Sequence, residues 1–152
     1  MDAKEYLESY AALKMEVCMH EDRIFEVFNE TQMPSISLGN GSQRTPVKDR
    51  QEKANIRYIE TKDRLQQNID ANIAKMRRID AIIDRMRTPL FREILRVRYT
   101  DTDSWTPLKW SDVSMRIYGD DDEKNVKQTQ RKARKALREF AAAMEEMEAA
   151  GV

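Results

Sequence analysis

Residues 49–87 contain neither glycine nor proline and repeat apolar side chains at heptad spacing. Six residues form this apolar seam: Leu65, Ile69, Met76, Ile79, Ile83 and Met86. Lys62 and Asn72 occupy its two remaining positions. Because so narrow an apolar stripe is stable only against a second helix, the stretch predicts a long helix that is paired along its length.

Residues 1–30 are the expected partner, with Asp2 as the N-cap of a helix that ends near Glu30. Apolar side chains recur there at three- and four-residue spacing, and His20 lies on the same stripe: Tyr10, Leu13, Val17, Ile24 and Val27. The segment carries eight acids against three bases, whereas residues 48–87 carry eleven bases against seven acids. These opposite charges favour antiparallel pairing. We therefore expect residues 1–87 to form a long antiparallel coiled-coil helical hairpin, in which Asn72 would fix the register.

The connection of this hairpin is expected at residues 31–48, which collect proline, glycine, serine and asparagine. Such a composition interrupts regular structure, and its length exceeds that of most connections in compact domains. We therefore expect a flexible loop. The hairpin is further expected to assemble with a second copy, which predicts a homodimer formed through the coiled coil.

Composition excludes several classes of protein. No apolar run approaches the roughly 20 residues that span a bilayer, which predicts a chain without membrane contact. The opening residues Met1–Glu5 lack the basic and then apolar pattern of a secretory signal, so we expect a cytoplasmic protein. The formal net charge is zero, but bases and acids are concentrated in different segments, so this figure does not exclude a nucleic-acid partner.

Catalytic and metal-binding residues are scarce. Cys18 and His20 are the only cysteine and histidine, which leaves no cluster of metal ligands. We expect Cys18 to be a small core thiol and His20 a partly buried residue of the helix seam. With no glycine-rich phosphate loop and no paired acids in a predicted pocket, the sequence predicts neither an enzyme nor a bound cofactor.

The C-terminal third has the proportions of a helix-turn-helix. Thr88-Pro89 ends the long helix, and a short apolar helix follows to about Tyr99. After a loop at 101–107, a second short helix begins at Trp110 or Ser111 and ends at Tyr118-Gly119. A last helix then extends past Phe140, with Val126, Thr129, Ala133 and Leu137 facing inward. We expect the helix-turn-helix module to occupy 88–140, and residues 141–152 to continue the last helix or to fray.

The outward face of the last helix supplies the candidate DNA-binding residues. Between Lys124 and Arg138 the chain has seven bases and no acid. Lysine and arginine neutralise phosphates, while asparagine, glutamine and arginine can form paired hydrogen bonds with base edges in the major groove. The residues expected near bases are Asn125, Lys127, Gln128 and Arg131, and those expected near phosphates are Lys124, Lys132, Arg134, Lys135 and Arg138. Gln130 belongs to the same face. The alternative is an ordinary solvated basic surface.

Three segments resemble region 4 of bacterial sigma-70 factors: Leu90–Tyr99, Trp110–Tyr118 and Val126–Leu137. The whole chain, with its opening Ala3–Leu7, is similar to the ArpU- and RinA-like late-gene transcription regulators of phages and prophages. This resemblance implies a sequence-specific transcription regulator that binds promoter DNA and activates late phage genes, with host RNA polymerase as a further partner.

The sequence departs from the family pattern in two places. Thr129 stands where the family usually has leucine, and the acidic run Asp120–Glu123 precedes the recognition helix. The acids stabilise the N-terminal end of the helix, where the helix dipole is positive, and Asp120 and Glu123 are spaced as a capping box. The same acids also repel the phosphates of DNA. The acids therefore leave open a phage protein that binds host RNA polymerase without contacting DNA. A second alternative is an oligomer resembling the small subunit of a DNA-packaging machine, since such subunits also join a helix-turn-helix to oligomerising helices.

Overall fold

The computed structural model describes residues 2–32 and 47–152. Over these ranges the chain is all-helical, as predicted, with five α-helices, one π-helical turn and no strand. The elements are α1 (Ala3–Gln32), α2 (Val47–Asp84), α3 (Pro89–Leu95), the π-helical turn (Arg96–Thr100), α4 (Trp110–Tyr118) and α5 (Glu123–Ala149). None of the described helices is apolar over a stretch long enough to span a membrane.

The helix bounds follow local signals in the sequence. Thr88 has an extended backbone (φ −89°, ψ 112°), which the following Pro89 favours, and Pro89 occupies the first turn of α3. Gly119 ends α4 with φ +71°, a left-handed conformation that glycine adopts without steric cost. Most of the predicted loop at 31–48 lies outside the described residues. Its two ends are helical, since α1 extends to Gln32 and α2 begins at Val47.

The chain divides into two compact units. The larger unit comprises the chain up to Met15 together with Ile73–Val152, and the smaller unit comprises Glu16–Asn72. Both divisions fall inside long helices, since α1 and α2 each contribute residues to both units.

The core of the larger unit is built by the first turns of α1, the last turns of α2, the segment from α3 through the π-helical turn, and the second half of α5. Its buried residues are Ala3, Leu7, Tyr10, Ile79, Ile82, Ile83, Met86, Leu95, Tyr99, Ala136, Phe140, Ala143 and Met147. The Tyr10 hydroxyl donates a hydrogen bond to Asp80 Oδ2 at 3.1 Å. Burial and the neighbouring Asp80 carboxylate raise the pKa of Tyr10 to about 12.

Helix α5 buries one face along most of its length. The buried residues recur at three- and four-residue spacing: Thr129, Ala133, Ala136, Phe140, Ala143 and Met147. Of the residues predicted to face inward, Thr129 and Ala133 are buried, whereas Val126 and Leu137 are only partly buried. The inward face therefore passes through Ala136 rather than Leu137. Helix α5 continues to Ala149, and Ala143 and Met147 belong to the core.

In the smaller unit α1 and α2 run antiparallel. Glu30 forms an ion pair with Arg57 at 3.3 Å, and the rings of Phe28 and Tyr58 lie 5.5 Å apart. Further along, Asn72 Nδ2 donates a hydrogen bond to Glu16 Oε2 at 2.9 Å. As the residue number rises on one helix it falls on the partner helix, which is the pattern of an antiparallel pair.

Asn72 is a buried polar residue on the predicted apolar seam. Because an unpaired buried amide is costly, its hydrogen bond to Glu16 favours the register in which these two residues meet. The neighbouring seam residues Leu65 and Ile69 are buried as predicted, whereas Lys62 is exposed and its ammonium lies 5.7 Å from the centre of the Tyr58 ring.

Candidate nucleic-acid interface

All ten candidate DNA-binding residues lie on α5 between Lys124 and Arg138, and none of them is buried. The exposed ones are Lys124, Lys127, Arg131, Arg134, Lys135 and Arg138, and the partly exposed ones are Asn125, Gln128, Gln130 and Lys132. The opposite face of the same helix turns carries the buried Thr129 and Ala133. The two faces separate because the apolar and small residues follow the helical period.

Six of the ten candidate residues line one open depression of about 490 Å³: Lys124, Lys127, Gln128, Arg131, Lys132 and Lys135. Five of these side chains are cationic and the sixth is an amide, and no acid lines the depression. We call these six residues the basic face. Such a surface concentrates positive potential, which attracts a polyanion.

The acidic run before α5 caps the helix, but the predicted capping box is wrong. The N-cap is Asp122, whose Oδ1 accepts a hydrogen bond from Asn125 N at 2.8 Å. Asp120 instead accepts a hydrogen bond from Asp122 N at 3.1 Å, within the turn. Glu123 pairs with Lys127 at 3.0 Å, one turn further along the helix. Asp122 is the cap because its carboxylate accepts a hydrogen bond from the backbone amide of Asn125, which has no partner within the first turn of the helix.

The turn between α4 and α5 is held by two further hydrogen bonds. Gly119 N donates to Met115 O at 2.9 Å, and the buried Ser114 hydroxyl donates to Asp120 O at 2.6 Å. Sequence reasoning missed Ser114. Val113 and Ser114 are both buried, and whether a residue next to Val113 is buried depends on the packing of α4 against α5, not on a local pattern. Ser114 and Gly119 thus define the direction in which the chain leaves α4 and enters α5.

Thr129 is fully buried, and its hydroxyl donates to Asn125 O at 2.8 Å, one turn earlier on α5. This hydrogen bond satisfies the only polar group that the threonine side chain brings to the interior, so Thr129 leaves no unpaired side-chain group there. The methyl group of Thr129 still contributes to packing.

Arg98 holds the segment that leads into α4. Its guanidinium lies over the Trp110 ring, 4.1 Å from the ring centre, and also donates to Leu108 O. In return, Leu108 N donates to Arg98 O at 2.9 Å. The cation–π contact and the hydrogen bonds to the backbone together position Trp110 at the first position of α4, which is one of the two starts that the sequence predicted.

Glu139 follows the candidate residues on α5 and stabilises the start of α3. Its Oε1 accepts hydrogen bonds from Arg87 N at 2.5 Å and Thr88 N at 2.7 Å, and its Oε2 accepts one from the Thr88 hydroxyl at 2.9 Å. Burial by itself raises the pKa of Glu139, but these hydrogen bonds and the charge of Arg87 outweigh it and lower the pKa below 4.5. Sequence reasoning did not identify Glu139, because its partners lie some fifty residues away.

The two residues considered for other chemistry lie on α1 in the smaller unit. His20 is partly buried, as predicted. Cys18 is exposed, so its prediction as a core thiol is wrong. The physical reason is helical geometry, since Val17 occupies the buried side and the adjacent residue is turned by about 100° from it. Among the described residues, no three or more histidine, cysteine, aspartate or glutamate side chains form a group suited to a metal ion.

Comparison with known proteins identified no match to a family model, a curated protein or a solved structure.

Proposed function

We propose that the chain is a sequence-specific DNA-binding transcription regulator and that the basic face of α5 enters the major groove of double-stranded DNA. The observation that carries the proposal is the exposed basic face, which combines five cations with an amide on one helix and contains no acid. Cations provide affinity for phosphates, and glutamine and arginine can recognise base edges.

In this proposal α4 and α5 form a helix-turn-helix supported by α3, with α5 as the recognition helix. A short turn containing Gly119 joins α4 to α5, and α3 packs against both helices. The likeness of these segments to sigma region 4 suggests a promoter as the DNA target and late phage genes as the regulated genes. The long α1 and α2 would form the coiled-coil hairpin of a homodimer.

The acidic run Asp120–Glu123 is compatible with this proposal because three of its four side chains are engaged in the turn and at the helix end. Asp122 caps α5, Asp120 accepts a hydrogen bond within the turn, and Glu123 pairs with Lys127. Their charge would weaken non-specific attraction to phosphates at the first turn. DNA contact would then depend most on the following turns, which carry Gln128 and Arg131.

The test is titration of labelled double-stranded DNA, first with fragments selected by the protein from a random pool and then with an unrelated sequence. We expect tighter binding to the selected fragments and an affinity that falls steeply with salt. Removing charge with Lys127→Ala and Arg131→Ala together should weaken binding to selected DNA by about tenfold to a hundredfold.

The matched control removes two exposed cations of α2 in the larger unit, Lys75→Ala with Arg77→Ala. It should bind DNA nearly as well as the wild-type chain, because these residues lie outside the basic face. Equal losses in the two double variants, or no DNA binding by the wild-type chain at low salt, would contradict the proposal.

The exposed acids at Asp120–Glu123 favour a second candidate function, in which the chain occupies host RNA polymerase without binding DNA. Co-purification with polymerase in the absence of any DNA binding at low salt would select this function. Charge removal at Asp121 and Glu123 should then weaken the polymerase complex, whereas the Lys127 and Arg131 variant should leave it intact.

A further inference from the structure

The smaller unit exposes an unusual share of its apolar side chains. Among the described residues eight large apolar side chains are exposed, and five of them belong to this unit: Met19, Phe25, Phe28, Ile56 and Ile59. Phe25 exposes 64 % of its surface and Ile59 exposes 56 %. Among the described residues of this unit only four apolar residues are buried: Val17, Val27, Leu65 and Ile69. The two described helices therefore bury little apolar surface against each other, and helices with narrow apolar faces require a further partner.

Four of the exposed side chains lie at similar heights along the helix pair. The contacts of Phe28 with Tyr58 and of Glu30 with Arg57 set the level of α1 against α2. At that register Phe25, Phe28, Ile56 and Ile59 fall within about two helical turns, or roughly 10 Å along the axis. We call these four residues the apolar band. An apolar surface of this kind on a helix pair is typical of a protein interface.

The charges on the two helices indicate which partner fits the apolar band. In the smaller unit the α1 segment carries five acids and one base, whereas the α2 segment carries six bases and five acids. A second copy related by a twofold axis can place the α1 of each copy against the α2 of the other. That arrangement places the acidic α1 segment against the more basic α2 segment at two equivalent contacts. Contact between two α1 segments would instead place negative charges against each other.

We propose that the apolar band is the contact surface for a second copy of this chain, with α1 of each copy packed against α2 of the other. Phe25 and Phe28 of one copy then meet Ile56 and Ile59 of its partner. The contact completes the burial that two helices cannot achieve alone, as in a four-helix assembly. This proposal specifies the homodimer of the proposed function, but it requires no DNA.

The first experiment is sedimentation of the full chain without DNA over a range of concentrations. We expect a monomer–dimer equilibrium in the wild-type chain. The double variant Phe25→Ser with Ile59→Ser should raise the dissociation constant about tenfold or more, because both side chains lose their buried contacts. The matched control is Trp105→Ser with Met115→Ser, which removes two exposed apolar side chains of the larger unit and should leave the dimer unchanged.

A wild-type chain that stays monomeric, a ring larger than a dimer, or equal weakening by the control variant would overturn the proposal. A ring would favour the DNA-packaging alternative. Circular dichroism of each variant checks that helix content is kept, since only exposed side chains are changed.

The chain also offers a second measurement, because its single cysteine, Cys18, is exposed on α1 of the smaller unit. A nitroxide label on this thiol should give one narrow label-to-label distance distribution in the wild-type dimer. The signal should vanish in the Phe25 and Ile59 variant. A distribution that is unchanged in this variant would overturn the proposal even if sedimentation detected a dimer. Dimers that form without any DNA binding would instead overturn only the proposed function.

Discussion

At the scale of single residues, a few polar side chains connect distant parts of the larger unit. Glu139 on α5 accepts hydrogen bonds from Arg87 and Thr88, and Ser114 on α4 donates one to Asp120. Arg98 lies over Trp110 and donates to Leu108 O. Each of these side chains satisfies a backbone group that lies at a helix end or a turn, where helical hydrogen bonds are absent.

Replacing Glu139 with glutamine should lower the free energy of unfolding by about 1 to 2 kcal/mol at neutral pH, since an amide has one acceptor oxygen and no charge. The effect should depend on pH. Because the pKa of Glu139 is lowered in the folded chain, its stabilising contribution is present above pH 4.5 and is lost as the pH falls through the lowered value.

Urea unfolding followed by circular dichroism at several pH values measures this difference. Glu146→Gln is the matched control, because Glu146 is an exposed acid two turns further along the same helix. The control should cost little at any pH. A difference between wild type and Glu139→Gln that stays constant down to pH 3 would contradict the explanation through ionisation.

At the scale of elements, the turn between α4 and α5 depends on the backbone conformation of Gly119. Its φ of +71° is unfavourable for a residue with a Cβ atom, although nothing lies within 4 Å of the place that this atom would occupy. We therefore expect Gly119→Ala to lower the free energy of unfolding by about 1 kcal/mol through backbone strain alone.

Gly119→Asn should recover part of this loss, because asparagine tolerates the left-handed conformation better than alanine does. Thermal unfolding of the three chains measures the order. Equal stability of the alanine and wild-type chains would mean that the turn can change its conformation at no cost, and the direction of α5 would then not depend on Gly119.

At the scale of the whole molecule, the two compact units differ in how much apolar surface they bury. Among residues 2–32 and 47–152, eighteen buried apolar residues belong to the larger unit and four to the smaller unit. Local opening is easiest where few apolar contacts must be broken. We therefore expect amide hydrogens of the described residues of the smaller unit, 16–32 and 47–72, to exchange faster than those of the α2 and α5 residues in the larger core.

Hydrogen exchange measured by mass spectrometry at two protein concentrations tests this expectation. If the smaller unit associates with a second copy, its protection should increase with concentration, while that of the larger unit should stay the same. Faster exchange in α5 than in the smaller unit would contradict the expected order.

Much of the helical structure could be predicted from the sequence because its signals are local. Pro89 and Gly119 lie at helix ends, and the heptad seam identified buried residues such as Ile79 and Ile83. The basic side of α5 could also be predicted, since its cations and its buried residues occupy opposite faces at helical spacing. The exposure of Cys18 was predictable in the same way and was missed because cysteine is more often buried than exposed.

The remaining features depend on residues that are distant in the chain, and only the tertiary structure decides them. Glu139 meets Thr88 because α5 packs beside the start of α3, and Asp80 meets Tyr10 because α2 returns antiparallel to α1. The inward face of α5 includes Ala136 and Phe140 because these residues pack in the core of the larger unit. Periodicity determines that a helix has a buried face. The elements packed against the helix determine which residues at the edge of that face are buried, and they also determine where the chain divides into units.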